Sequence, residues 1–447
     1  MHAVGSGKSL ASIAAAEDTK GDVGVVVPAA LRTNYEKELA KHVSSPEASY
    51  SISSLQGASR GNIPHGKDLL VIDEAHRLRD QASKATQAVR GAESKKRLLL
   101  TGTALYNRPY DLASLVNTAA GKNVLPGSRQ EFDHQYIGEN AVSPGLWGRI
   151  RGIQPGSRPT LKNTASLKGH LEKWVDVHEG STENFPARKD VTVETPMSAR
   201  QTELYNTLTS DAPAWLDYKV RKGLPPSKQE TSALNAFANA ARQISVSPGG
   251  FAADLSPVDA ARMSPKIQKA VENLQASIAA NPQHRAVVYS NYLDSGIEPY
   301  AAELAARGIP YGKFTGAVDR AERDKMVQDY NSGGLRALLL SSAGGEGLDL
   351  KGTRAIQVLE PHWNKEKIEQ VIGRGARYMS HAHLPEDQRD VTVEHYHSVG
   401  NEPGMLGRLL GRKREGRIDE YMEGLSKDKD ALNEQVRELL RAREGAV

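Results

Sequence analysis

Leu69-Leu70-Val71-Ile72-Asp73-Glu74-Ala75-His76 is the stretch that decides the fold. Its four consecutive aliphatic residues read as a strand buried on both faces, the kind found inside a parallel sheet covered by helices. Two carboxylates follow at once. That places Asp73 and Glu74 at the C-terminal edge of a strand, where α/β proteins bind their ligands. Standing alone, the same four letters DEAH would be a solvated helix start, so the surrounding chain has to choose between the two.

Upstream, Gly5-Ser6-Gly7-Lys8-Ser9 precedes an Ala-rich helical stretch. Glycines there let backbone N–H groups converge on phosphate oxygens at a helix N-terminus, Lys8 reaches toward β/γ-phosphates, and Ser9 is a magnesium ligand. The full eight-residue pattern has Gly where this chain has His2. With a phosphate loop in place, Asp73 holds magnesium through water, and Glu74 orients and deprotonates the attacking water. Downstream, Thr101-Gly102-Thr103 closes the strand-like RLLLT; by itself this is a strand-to-helix turn with a capping Thr.

Working further outward, VGVVVP (Val23 to Pro28) joins the first group of strands. A second group follows a long interval: RAVVYS (Arg285 to Ser290), ALLLSS (Ala337 to Ser342) and AIQVLE (Ala355 to Glu360). Two groups of buried strands alternating with helices predict an α/β protein with two lobes. Between them only KDVTVETP (Lys189 to Pro196) looks like a strand, amid helical stretches and a Gly/Pro/Ser hinge at 245–250. The expected division is a first lobe at 1–198, a helical insertion and linker at 199–262, a second lobe at 263–399, and a charged brace segment at 400–447. In that last segment Leu432, Val436, Leu439 and Leu440 fall on one helical face.

Composition sets the outer limits. A chain of 447 residues is too long for one ordinary core, and no apolar run approaches the roughly 18 residues of a membrane span. Lys+Arg at 58 against Asp+Glu at 54 gives only +4, so any polyanion surface must be local. The absence of Cys rules out disulfides, thiolate zinc sites and thiol catalysis. No basic segment followed by an apolar stretch opens the chain, and an intracellular protein is expected.

The second lobe adds Ser341-Ser342-Ala343-Gly344-Gly345-Glu346-Gly347-Leu348-Asp349-Leu350 and then QVIGRGARYMSH from Gln370 to His381. A nucleotide cleft between two lobes needs positive charge opposite the γ-phosphate, and Arg374 and Arg377 are spaced to share one helical face. Exposed arginines on a charged helix are the plainer alternative.

Taken in order, GSGKS, DEAH, TGTALYN, SSAGGEGLDL, EPHWNKEKIEQ and GRGAR resemble the motifs of the Swi/Snf-type branch of helicase superfamily 2, closer to its virus- or phage-encoded members. VVVPAALRTNYEKEL, PMSARQTELYNTL, SPKIQKAVENLQ and YGKFTGAVDRAERDKMVQDYN extend the likeness over nearly the whole chain. The resemblance implies two tandem RecA-like P-loop lobes with helical insertions and a C-terminal brace helix. It also implies ATP and magnesium as cofactors, and ATP-driven translocation on double-stranded DNA. Carried over by position, it implies nucleotide contacts at Gly5, Ser6, Gly7, Lys8, Ser9 and Asp73, and catalytic roles for Glu74, Gln370, Arg374 and Arg377, with Arg377 as arginine finger. Coupling roles fall on His76, Thr101, Gly102, Thr103, Gly345, Gly347 and Asp349. Phosphate-backbone contacts fall on Pro28, Thr315, Gly316, Ser341 and Ser342, and Trp363 matches a tryptophan near the minor groove.

The family has a strand and an adenine-reading glutamine ahead of the phosphate loop, and neither stands before Gly5 here, so the first lobe is expected to be truncated. The alternating pairs His381/His383 and His395/His397 have no third ligand at metal-site spacing. GRLLGRKREGR (Gly407 to Arg417) suits either phosphate contact or a solvated turn. Two other functions stay open: a strand-separating DNA or RNA helicase, which shares the ATPase motifs but needs a wedge, and a non-hydrolysing DNA-binding module.

Overall fold

The apolar runs become parallel strands. In the computed structural model, which describes residues 7–102, 105, 108–178, 183–252, 254–316, 318–341, 348–400 and 417–441, the chain divides into two units. Met1–Glu139, Pro159–Thr182 and Lys429–Val447 make the first; Asn140–Arg158 and Glu183–Asp428 make the second. Both are RecA-like α/β lobes.

The first unit holds β1 (Asp22–Val27), β2 (Ser49–Ser54), β3 (Lys67–Ile72) and β4 (Ser94–Leu99). They run parallel in the order β2-β1-β3-β4. Alternation along the strands sorts side chains to two covered faces. Val26, Leu70 and Ile72 pack with Leu112, Phe132, Val436 and Leu440 on one side, and Val23, Val25, Val27 and Val71 with Ile13 and Tyr35 on the other. Each such aliphatic side chain contributes about 1.5–3 kcal/mol by leaving water. Val436, Leu439 and Leu440 of the C-terminal helix (Ile418–Arg441) thus brace this core, as their spacing predicts. Gly24 is required by close packing, since a Cβ there would sit 2.8 Å from Pro64 Cβ and 2.9 Å from Leu70 Cδ1. β5 (Ile137–Val142) and β6 (Gly156–Leu161) pair separately as a two-stranded ribbon.

The second unit has a six-stranded parallel sheet in the order β7-β12-β11-β8-β10-β9. Its strands are β7 (Ala187–Pro196), β8 (Ala286–Tyr289), β9 (Tyr311–Phe314), β10 (Ala337–Leu340), β11 (Ala355–Val358) and β12 (Asp390–Val399). Residues 187–196 are expected at the end of the first lobe. They instead form the edge of the second sheet, paired with β12 over ten residues from Ala187↔Asp390 to Pro196↔Val399. Edge position explains why the strand reads ambiguously: only Thr195 of its ten residues is buried. Helices at Ala199–Ser210, Ala214–Lys222 and Thr231–Val246 gather Tyr205, Leu216, Leu234 and Phe237 into a separate apolar cluster with Ile418, Tyr421 and Met422. Among the described residues no helix is long and apolar enough to cross a membrane.

Candidate functional site

In the first unit, Gly7 adopts φ 78° and ψ 27° and caps the helix Lys8–Thr19. That left-handed backbone, rather than crowding, is what calls for glycine, because a Cβ there would meet nothing within 4 Å. Gly7 has no side chain to cap the helix, and the positive end of the helix dipole stands at this turn. Ser12, fully buried, fixes the turn by donating to Ser9 O at 2.7 Å and sharing a 3.0 Å hydrogen bond with buried Tyr35. Lys8 and Ser9 are half-buried; Gly5 and Ser6 lie outside the described residues.

Asp73 follows the last residue of β3, its backbone N–H donating to Val26 O at 3.0 Å on the neighbouring β1. Its carboxylate is 8% exposed and accepts the Glu74 N–H at 2.8 Å. Burial first, and then the charge of Glu74, push its pKa up to about 6, against the pull of that N–H, Lys8 and His76. Glu74 sits in the left-handed region at φ 50°, a conformation that non-glycine residues adopt at some cost and that clusters at functional sites. Burial raises its pKa as well, but the hydrogen bond and charge of His76, with Lys8 and Arg77, outweigh it and leave Glu74 below the usual carboxylate range. Two adjacent acids are thus driven apart, one toward the proton and one toward the ionised form.

His76 joins this pair to the end of β4. Its Nδ1 lies 3.2 Å from Glu74 Oε2 and 3.3 Å from Thr101 Oγ1. Thr101 is 4% exposed, and the backbone is stitched there by Leu100 N–H to Ile72 O at 2.8 Å and Ala75 N–H to Leu100 O at 2.9 Å. The structure therefore brings Asp73, Glu74, His76 and Thr101 together. Gly102 follows, and Thr103 lies outside the described residues. Ser9 and Asp73 supply oxygen donors only, a set that fits a hard divalent cation.

In the second unit, Gln370 and Arg374 are four residues apart on the helix Lys365–Gly375, and both are half-buried. Arg377 does not continue that helical face. The helix stops at Gly375, which packs so closely on Thr353 that a Cβ would fall 2.9 Å from its Cγ2, and Ala376 turns the chain at φ −112° and ψ 72°. Arg377 instead donates to Leu348 O at 3.0 Å and stands 3.8 Å from the Asp349 carboxylate. Two of the sequence-selected segments are thereby tied within one unit. Gly345, Gly347 and Ser342 lie outside the described residues.

Thr315 and Ser341 stand side by side, one residue past the registered pair Phe314↔Leu340 of β9 and β10. Arg323 holds the Thr315-Gly316 backbone by donating to Thr315 O at 3.1 Å and Gly316 O at 3.5 Å. Pro28 follows β1 and leads into a short turn whose Ala29 N–H donates to Gln56 Oε1 at 3.1 Å. Trp363 is half-buried against the Tyr205–Phe237 cluster. His381 is buried between Ser380 Oγ at 2.8 Å and Thr353 O at 2.7 Å, and His395 faces Asp190 at 3.0 Å.

Residues 48–249 match the SNF2-related domain and residues 266–379 the helicase conserved C-terminal domain. The chain belongs to the SNF2-related helicase-like ATPases. This SNF2-related protein is 29% identical to a protein of Acanthamoeba polyphaga mimivirus named as an ATP-dependent RNA helicase, over 96% of this chain and 90% of that one. It is 23% identical to an African swine fever virus termination factor NPH-I homologue, over 98% of this chain and 74% of that one. A Drosophila persimilis DNA repair and recombination protein, RAD54-like, is 26% identical over 68% of this chain and 41% of that one. The Sulfolobus solfataricus SWI2/SNF2 ATPase core in complex with dsDNA is 20% identical with a TM-score of 0.39, covering 98% of this chain and 92% of that chain. As a member of this family the protein is a nucleic-acid-dependent ATPase.

Three supporting groups escaped sequence reasoning: Tyr35 under the phosphate turn, Arg323 under Thr315-Gly316, and the Leu348 carbonyl that seats Arg377. All three lie inside segments that carry the family resemblance, VVVPAALRTNYEKEL, YGKFTGAVDRAERDKMVQDYN and SSAGGEGLDL, but no role attaches to these residues there, and a carbonyl leaves no mark in sequence.

Proposed function

We propose that the protein is an ATP-dependent translocase on double-stranded DNA. The observation that carries this reading is the chain Asp73–Glu74–His76–Thr101, in which a carboxylate kept ionised is linked through an imidazole to the end of the next strand. Glu74, ionised at neutral pH, orients a water against the γ-phosphate of ATP and takes its proton. Gly7 and the amides of the following turn, with Lys8, hold the phosphates. Ser9 and Asp73 would hold a magnesium ion, which supplies neutralisation of phosphate charge. His76 and Thr101 pass changes at Glu74 to β4, and Gln370, Arg374 and Arg377 serve ATP turnover.

The neighbouring ends of β9 and β10 at Thr315 and Ser341, and the turn after Pro28, suit contacts to phosphate rather than to base edges, which makes tracking independent of sequence. The RAD54-like relative's name, DNA repair and recombination protein, agrees with a DNA substrate. The mimivirus relative's name favours a second reading, an RNA helicase. Measuring ATPase rates in parallel with no nucleic acid, duplex DNA, single-stranded DNA and RNA separates them. Duplex DNA should stimulate most, and the effect should fall steeply with salt. Stimulation confined to single strands or RNA would transfer the protein to the second reading.

A further inference from the structure

We propose that the turn at residues 145–150 is a base-stacking element that captures unpaired nucleotides beside a duplex. The proposal rests on the nucleic-acid reading above and adds to it a site outside every motif. The helix Gly145–Ile150 carries Leu146, Trp147 and Ile150 at 72%, 70% and 66% exposure, the most exposed large apolar side chains among the described residues. Spacings of three and four put them on one face, forming a contiguous apolar patch of a kind that soluble surfaces seldom leave without a partner.

The patch is held rigidly. Gly148 is buried against Pro144 and Tyr218, where a Cβ would fall 2.6 Å from Pro144 Cβ and 3.2 Å from Tyr218 Oη. Tyr218 donates to Pro144 O at 2.9 Å, and Ile153, itself buried, donates its N–H to Gly148 O at 2.9 Å. Gly145 and Gly152, both in the left-handed region at φ 77° and 71°, close the turn at its two ends. Side chains that would relax into a core if the turn were loose are instead fixed pointing outward.

Charge selects the occupant. Residues 140–158 contain three arginines and no Asp or Glu. Arg158 is paired with Asp428 at 2.8 Å, whereas Arg149 and Arg151 are exposed beside the patch, Arg149 on Ser143 Oγ at 3.1 Å and Arg151 above the Tyr218 ring at 6.0 Å. An indole framed by aliphatic groups and two guanidinium groups matches a base and its flanking phosphates. Bases already unpaired present a π-face without the cost of opening a duplex step, so a single-stranded tail, rather than an intact duplex, fits the site.

The test is the affinity of the full chain for a blunt duplex and for the same duplex with a single-stranded tail, without nucleotide. Trp147→Ala should weaken tailed-duplex binding about tenfold or more and leave the blunt duplex within about twofold, while Trp147→Phe keeps most of the tail affinity. Equal affinities of wild type and Trp147→Ala for the tailed duplex would overturn the proposal. So would sedimentation showing self-association that Trp147→Ala abolishes with no change in either affinity, which makes the face a contact between copies. Duplex stimulation of wild-type hydrolysis, measured in a separate assay with ATP, tests the translocase reading independently of the tail dependence of the variant.

Discussion

Asp73→Asn should stabilise the nucleotide-free protein while abolishing turnover. Burial and the neighbouring Glu74 charge move Asp73 from an ordinary 3.8 to about 6. The folded state thus holds this proton more tightly than the unfolded chain does, and ionisation opposes folding. The cost is absent below 3.8, grows up to about 6 and is constant above that. A tenfold change in proton affinity is worth about 1.4 kcal/mol, so ionised Asp73 costs on the order of 3 kcal/mol at about pH 7.5. The amide removes the charge and keeps the oxygen that accepts the Glu74 N–H at 2.8 Å. At about 2–4 °C per kcal/mol for a unit of this size, Tm should rise by roughly 6–12 °C. Thermal unfolding without nucleotide or magnesium at about pH 7.5 and about pH 4 should show a gap that narrows in acid. Excess ATP with magnesium should then raise Tm of the wild type much more than that of Asp73→Asn. A variant less stable than wild type at the higher pH, or a gap that ignores pH, would refute the reasoning.

Lys8→Ala should weaken nucleotide binding, and Glu74→Gln should bind ATP yet fail to hydrolyse it; wild-type-like hydrolysis by Glu74→Gln in a steady-state assay would remove Glu74 as the base. Arg377→Ala should lower turnover by about 10³ or more with little change in nucleotide-free DNA affinity. The reverse pattern would make Arg377 a phosphate contact, with its seat on Leu348 O serving the DNA side. Lys266→Met should destabilise the second unit by about 3–5 kcal/mol in denaturant unfolding, because it strands Asp419 in a site where both side chains have no solvent exposure. Asp419 also accepts Ser398 N–H at 2.8 Å and Ser245 Oγ at 2.9 Å, and a loss under about 1 kcal/mol would mean that these two bonds suffice.

Sheet interiors were legible in the sequence because burial on both faces demands unbroken apolar runs, as in Val23–Val27 and Ala337–Leu340. Edges were less so. β2 is SYSISS, with only Ser53 buried, and its existence does not follow from its own residues; β7 reads as a strand, but its partner sheet does not follow from its residues. At the site, the order of motifs singles out candidate residues, of which the structure brings Asp73, Glu74, His76 and Thr101 within reach of one another. What spacing could not give was backbone conformation: the left-handed Glu74, and the helix end at Gly375 that takes Arg377 off the expected face. The exposed GLWGRI turn carries no signal of its own, since sequence alone does not tell whether Leu146, Trp147 and Ile150 face a core or solvent.

A translocase moves along a duplex without opening it. Displacement of a labelled third strand from a triplex, run beside a forked duplex of the same sequence with ATP, tests it most directly. The third strand should be released in an ATP-dependent way, release should be abolished by Glu74→Gln, and the fork should stay paired. Efficient unwinding of the fork with the triplex left intact would contradict it.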